Sequence, residues 1–399
     1  MIFRQDYINA ITPFIDKKVV KILAGIRRCG KSTIFEMIKE ELIKRKVPLK
    51  NIIAKNYTDI SFDKIFTEKD MFDDIKKSIT TKEKYYLLLD ELQEVKCWEK
   101  VVNNLLEKEN VDIYVTGSNS KLMSGEISTY LSGRYISISV YTLSFKEFLD
   151  FKKENNLSVK DSFEQYIKIG GFPLIALENF DQQSTYQIVS DIYNSVITRD
   201  ISRRHQIKRQ DLFNRVVKFI LENIGQTFSA NSILKFLKNE YRTISVETIY
   251  NYLKWLEDAF IIYKCQRYDL QGKAILKTQE KYYLADVSLK YSIMGYNGKM
   301  VSSSLENIVY LELKRRGYSV YIGKNYTKEI DFVAQKRDEK IYVQVCDKIP
   351  KQSYRETNNL LEIKDNYPKY VVTLDNLATG NENGIKIIHI TDFLLQEKF

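Results

Sequence analysis

One stretch constrains the fold of this chain more than any other: VVKILAGIRRCGKSTIFEMIKEEL, residues 19–42. An apolar strand, a glycine-bounded loop and an amphipathic helix follow one another. GIRRCGKS satisfies G-x-x-x-x-G-K-[ST] in full, from Gly25 through Gly30 and Lys31 to Ser32. In that context the loop Gly25, Ile26, Arg27, Arg28, Cys29 and Gly30 turns backbone N–H groups inward around phosphate oxygens. The helix behind it adds its positive N-terminus. Lys31 is placed to reach β- and γ-phosphates, and the Ser32 hydroxyl to ligate Mg²⁺.

A second strand, KYYLLLDELQEV, is expected beside the first in a parallel sheet. Asp90 at its carboxyl end is a candidate to hold Mg²⁺ through water, and Glu91 to polarise an attacking water as general base. Adjacent Asp-Glu points to hydrolysis of the phosphate ligand rather than binding alone. A third strand, VDIYVTGSNS, ends in small polar residues. Asn119 is the candidate for positioning the lytic water and Ser118 the alternative; an ordinary strand-to-loop cap is the plain reading. Arg134, in YLSGRYISISV, stands just before another strand. It reads either as a surface charge or salt bridge, or as an arginine finger for a neighbouring subunit's nucleotide.

These four elements in this order resemble the AAA+ ATPases, in particular the prokaryotic branch related to archaeal ATPases and origin-recognition proteins. The wording GIRRCGKST, TGSNSKLMSGE and LSGRY with LSFKEFL is similar to one family in which this ATPase precedes a carboxyl-terminal domain of poorly known function. The likeness runs nearly end to end. It implies ATP and Mg²⁺ as cofactors, with Gly25, Gly30, Lys31, Ser32, Thr33, Asp90 and Glu91 at the nucleotide. It further implies a sensor role for Asn119, a finger role for Arg134, and catalysis completed between subunits of a ring or dimer.

Composition sets the bounds. At 399 residues the chain is too long for one ordinary core, and two to three domains are expected. The formal net charge of +10 makes polyanions such as nucleic acid candidate partners. No apolar run approaches the roughly 20 residues needed to span a bilayer, and the first residues lack the apolar core of a signal peptide. No membrane association is expected. The four cysteines, Cys29, Cys97, Cys265 and Cys346, have no metal-ligand spacing and read as reduced thiols of a cytoplasmic protein.

After Leu149 the chain is charged and helical, then breaks at Gly170-Gly171. GFP, Gly171 to Pro173, is a helix-breaking turn on its plain reading. It also resembles the Gly-x-Pro turn by which related ATPases contact adenine from a helical lid, with Pro173 against the base. Arg199 in the next helix is a candidate lid arginine for the γ-phosphate. The run Arg199, Arg203, Arg204, Lys208 and Arg209 is either a solvated face or a nucleic-acid contact. Residues 211–269 read helix, helix, helix, strand, with Ser229 and Ser245 as N-caps and Ile249, Leu253, Leu256 and Phe260 as core. That is the winged-helix pattern, although the third helix exposes the mixed set Glu247, Asn251, Lys254 and Asp258 rather than a basic face.

The last third opens with the helix SSSLENIVYLELKRRG, whose apolar face is Leu305, Ile308, Val309 and Leu313 and whose stop is Gly317. A strand, the hairpin EIDFVAQKRDEKIYVQVC, a helix and a strand follow. This order resembles the PD-(D/E)xK nuclease fold, often degenerate in relatives of this kind. Glu306 and Asp331 match its acidic positions. Gln344 and Cys346 stand where an acid and a lysine are needed; Lys314 on the helix could in principle substitute, although it lies two turns beyond Glu306. Metal-dependent cleavage needs clustered carboxylates and a cation, so a catalytically inactive contact domain is expected.

The reading is therefore an α/β protein: a P-loop AAA+ core with parallel sheet (1–150), a helical lid (151–210), a winged helix (211–285) and a nuclease-like α/β domain (286–399). It is expected to hydrolyse ATP as a homo-oligomer coupled to DNA or RNA. The alternative is a nucleotide-driven switch recruiting a protein partner; an ATP-dependent nuclease comes last.

Overall fold

Three of the five strands in the first sheet are buried along their whole length, as strands covered on both faces must be. They are β1 (Val20–Ala24), β3 (Tyr85–Asp90) and β4 (Val111–Gly117). The half-buried β2 (Ile52–Asn56) and β5 (Tyr135–Ser139) form its edges. The order is β2-β3-β4-β1-β5, and every pair is parallel. The computed structural model describes residues 2–58, 67–123, 131, 133–153, 157–240, 242–298, 301–349 and 355–399.

This order corrects one expectation. The strand ending in Asp90 lies in the same parallel sheet as β1 but not beside it, because β4 intervenes, with Leu23 opposite Thr116 and Leu89 opposite Val115. Apolar residues on both of its faces fit β4 for the centre. The pair Lys21–Asp112, both side chains fully buried, joins β1 to β4. Tyr114 Oη donates to Asp112 at 2.9 Å and the Asp16 N–H donates to it at 2.9 Å. These bonds satisfy the carboxylate lone pairs that burial would otherwise leave bare.

The chain divides into two compact units, Met1–Thr142 with Asp258–Phe260, and Leu143–Glu257 with Ile261–Phe399. The second begins with helices whose starts are written locally. Ser144 and Glu147 form a capping box, and Ser158 and Asp181 accept from the N–H three residues on. Three helices follow, Gln210–Glu222, Ala230–Asn239 and Val246–Asp258. Ser229 caps the second, and Ser245 Oγ accepts from the Thr248 N–H at 3.1 Å. Ile249, Leu253, Leu256 and Phe260 are all buried.

Its sheet is mixed and eight-stranded: β6 (Ile262–Asp269), β7 (Ala274–Leu284), β8 (Ser319–Asn325), β9 (Lys328–Lys336), β10 (Glu339–Cys346), β11 (Lys369–Thr373), β12 (Gly380–Glu382) and β13 (Ile385–His389). The order is β12-β13-β11-β10-β9-β8-β6-β7. The hairpin β6–β7 after the three helices is thus continuous with the sheet holding β9 and β10, through the parallel pair β6–β8. The helix Val301–Arg315 buries not only Leu305, Ile308, Val309 and Leu313 but also Ser304, Asn307, Tyr310, Leu311 and Glu312. It is a nearly enclosed helix rather than a one-sided one. Asp331 is the fourth residue of β9. Among the described residues no helix is long and apolar enough to cross a membrane.

Candidate functional site

The loop after β1 and the acids after β3 meet in the first unit. Gly30 adopts φ 98°, a left-handed conformation closed to most side chains, and hands the chain directly to the helix Lys31–Lys44. Arg28 is also left-handed, at φ 67°, so the loop turns twice within three residues, as a phosphate nest does. Lys31 Nζ donates to Gly25 O at 3.1 Å and Ile26 O at 3.2 Å, and lies 3.6 Å from Glu91 Oε1. Ser32 Oγ donates to Asp90 Oδ2 at 2.7 Å. Ile26 and Cys29 are buried, Arg27 is half-buried, and Ser32 and Thr33 are exposed. Burial pushes the Cys29 thiol above its usual range, so it is not a reactive thiolate.

Asp90 and Glu91 are both buried. Thr116 of β4 ties them together: its hydroxyl donates to Asp90 Oδ1 and accepts from the Glu91 N–H at 3.0 Å. Glu91 has φ 53°, a strained conformation for a non-glycine residue that recurs at functional sites. Burial pushes its carboxyl up, but the Lys31 charge, the Gln93 amide and the Arg27 guanidinium outweigh this and hold it below the usual carboxylate range. Gln93 Nε2 donates to Glu91 Oε2 and, at 3.3 Å, to Ser118 Oγ. Asn119 is buried beside Ser118 at the end of β4. This end of the sheet therefore gathers a cation, a hydroxyl, two carboxylates and a buried amide.

Arg134 is not among them. The Val20 N–H donates to Arg134 O at 2.9 Å, which places it at the start of β1, the opposite end of the strand from the loop. Its Nη2 donates to Asn103 Oδ1 at 2.7 Å and pairs with Glu107 at 2.9 Å. Within one chain it is a salt bridge. Pro173 and Arg199 belong to the second unit. Pro173 opens the helix Pro173–Leu177 and Arg199 lies exposed on a π-helical turn, Val196–Ser202. The Gly171 N–H before Pro173 donates to the buried Asp286 Oδ2 at 2.8 Å, and the Leu143 N–H donates to Gly171 O at 2.7 Å. That turn has a structural purpose of its own.

Sequence reasoning missed Arg4, Thr116 and Gln93. Arg4 is buried, and its guanidinium donates to Cys29 O at 2.9 Å, Tyr141 O at 3.0 Å and Thr142 O at 3.3 Å. It braces the loop from behind, and nothing in the surrounding sequence announces it. Gln93 and Thr116 did leave a trace, as polar residues set in otherwise apolar stretches.

In the second unit, Glu306 and Asp331 also come together, around a residue the sequence did not single out. Lys281 of β7, rather than Lys314, supplies the cation. Its Nζ lies 2.9 Å from Glu306, 2.9 Å from Glu329 and 3.8 Å from Asp331. Burial pulls the Lys281 ammonium down, but Glu306, Asp331 and Glu329 outweigh it and hold it above its ordinary range, fully charged. Tyr283 Oη donates to Glu306 at 2.6 Å, and the Val345 N–H to Asp331 Oδ2 at 2.8 Å. Gln344 Oε1 accepts from the Asp331 N–H at 3.3 Å, while Cys346 joins an apolar cluster with Tyr342, Leu360 and Val371. A cavity of about 430 Å³ opens on Asp331, Glu329, Gln344 and Asn359. Among the described residues no group of three or more His, Cys, Asp or Glu is arranged to hold a metal ion.

Comparison with known proteins agrees with the first unit's geometry. A family model described as AAA domain matches residues 17–149, and one described as a domain of unknown function matches residues 160–299. An uncharacterized protein of Haemophilus influenzae is 39% identical over 399 residues, covering 99% of this chain and 99% of that protein. An uncharacterized protein of Methanocaldococcus jannaschii is 30% identical over 395 residues, covering 94% of this chain and 85% of that protein. Among solved structures, the Walker-type ATPase of Pyrococcus abyssi aligns with a TM-score of 0.54 at 13% identity, over 73% of this chain and 96% of that one, a likeness of fold. The chain belongs to the family of the Haemophilus influenzae and Methanocaldococcus jannaschii proteins, and its residues 17–149 are an AAA domain with the P-loop ATPase fold.

Proposed function

We propose that the first unit binds ATP with Mg²⁺ and hydrolyses it to ADP and phosphate. One observation carries this reading: Lys31 and Ser32 from the loop meet Asp90 and Glu91 from a non-adjacent strand. Ser32 and Asp90 are hard oxygen donors. A hydroxyl with one carboxylate fits an ion that otherwise keeps waters and phosphate oxygens as ligands. Mg²⁺, when bound, neutralises charge on the β- and γ-phosphate oxygens.

The chain's own residues supply the rest. Lys31 leaves Gly25 O and Ile26 O for the phosphates, which frees Glu91 Oε1. Glu91, ionised and buried, accepts a proton from water as the water oxygen bonds to the γ-phosphorus. The bond from that phosphorus to the bridging oxygen breaks, and ADP leaves with the electron pair. Ser118 and Asn119 line the end of β4 where the water is oriented. Calorimetric titration with ATP and Mg²⁺ tests the binding step: saturable binding is expected for the native chain and its loss for Lys31→Ala.

We further propose an oligomer in which Arg134 gives up Glu107 to reach a neighbour's nucleotide. Unchanged specific activity on mixing Arg134→Ala with native subunits argues against this. The divisions 1–150, 151–210, 211–285 and 286–399 are kept as functional modules, with hydrolysis coupled to nucleic acid through the basic run Arg199, Arg203, Arg204, Lys208 and Arg209 of the second and through the third, read as a winged helix. A second reading is favoured by Lys281, which sits among the acids where a nuclease would need a metal. On that reading the last module is a contact surface for a protein partner, and the ATPase is its switch. Salt titration of DNA binding separates the two, since binding to phosphates weakens steeply with salt.

A further inference from the structure

We propose that Gln93 is a positioning residue for hydrolysis, holding one oxygen of Glu91 so that the other faces the water. The inference rests on the ATPase reading above and deepens it. Glu91 uses its two oxygens differently: Oε1 faces Lys31 at 3.6 Å, and Oε2 accepts from Gln93 Nε2. When Lys31 turns to the phosphates, Oε1 is released and Oε2 stays bound. The plane of the carboxylate is then fixed by a bond that nucleotide binding does not break.

Three observations single out Gln93 for this work. A carboxylate only accepts, so the Gln93 amide nitrogen must face it, and the amide oxygen must point elsewhere. That oxygen is buried and has no hydrogen-bond partner among the described residues. Leaving a buried acceptor unsatisfied costs stability, so this orientation of the amide is held by the bond its nitrogen makes to the carboxylate. Second, the end of the side chain packs against the glycine that closes β4. A Cβ on Gly117 would lie 2.2 Å from Gln93 Oε1. Third, the same amide nitrogen donates to Ser118 Oγ at 3.3 Å. Gln93 thereby links the general base to the polar end of β4, where the water is oriented. Neither the strained φ of Glu91 nor its burial alone fixes the carboxylate's rotation; the amide does.

The test is a double-mutant cycle on the full chain, reading kcat and the Kd of a fluorescent ATP analogue. Gln93→Ala is expected to lower kcat roughly tenfold or more while Kd changes less than about twofold. Gln93→Met, which keeps the volume above Gly117, is expected to do the same and stands in if the alanine variant folds poorly. In a Glu91→Gln background the same substitution is expected to change kcat less than about twofold, because Gln93 acts through Glu91. Equal fold-losses in both backgrounds overturn the proposal. So does native-like kcat in Gln93→Met when Glu91→Gln is inactive, which leaves the ATPase reading intact. Native-like turnover in Glu91→Gln overturns both.

Discussion

Ser32 Oγ donates to Asp90 Oδ2 at 2.7 Å, closing the first turn of the loop helix onto the end of β3. On the proposed reading Ser32 and Asp90 would hold Mg²⁺, and this bond between them would have to open for them to do so. Asp90→Asn keeps the shape and removes the charge. It is expected to raise the Mg²⁺ concentration for half-maximal turnover by about 10–100-fold, measured as phosphate release against Mg²⁺ at fixed ATP.

Arg4 gives three carbonyls their donors, one in the loop and two in the segment after β5. Arg4→Ala leaves Cys29 O, Tyr141 O and Thr142 O without them in a buried setting. A loss of about 2–4 kcal/mol is expected, read as a lower urea midpoint with an unchanged slope. Arg4→Lys recovers little, because one ammonium does not reproduce the planar fork.

Lys281 compensates Glu306 and Glu329 in the second unit. Lys281→Met strands these carboxylates and is expected to cost about 3–5 kcal/mol in urea unfolding. The native chain is expected to show no Mg²⁺-dependent plasmid nicking; nicking abolished by Asp331→Ala would reverse the inactive reading.

Asp331 provides a pH signature. Burial and the Glu306 carboxylate push it up to about 8, against about 3.9 in an unfolded chain. The folded state therefore holds a proton that the unfolded state releases, and stability from this group falls as pH rises from about 4 towards about 8. Comparing unfolding midpoints of the native chain and Asp331→Asn at pH 5 and pH 8 tests this. The native chain should lose more on moving to pH 8.

The loop and its acids were legible in the sequence because each is a local pattern: Gly25 to Ser32 within one turn, Asp90 and Glu91 at one strand end. The caps Ser229 and Ser245 and the core face Ile249, Leu253 and Leu256 were legible for the same reason. Strand order was not, since β4 between β1 and β3 is decided by pairing among distant segments. Lys281 was hidden in the same way. Gln344 and Cys346 are visible as missing partners, but the lysine that answers the acids comes from another strand. Arg4, alone near the start, acquires meaning only from the three carbonyls that folding brings to it.

The most direct measurement is steady-state phosphate release from ATP with Mg²⁺ and with EDTA, for the native chain and Glu91→Gln, alongside nucleotide affinity. Mg²⁺-dependent turnover is expected in the native chain. In Glu91→Gln a loss of roughly 100-fold or more is expected, with affinity retained. Turnover in Glu91→Gln equal to the native rate, or none in the native chain despite tight binding, would overturn the ATPase reading.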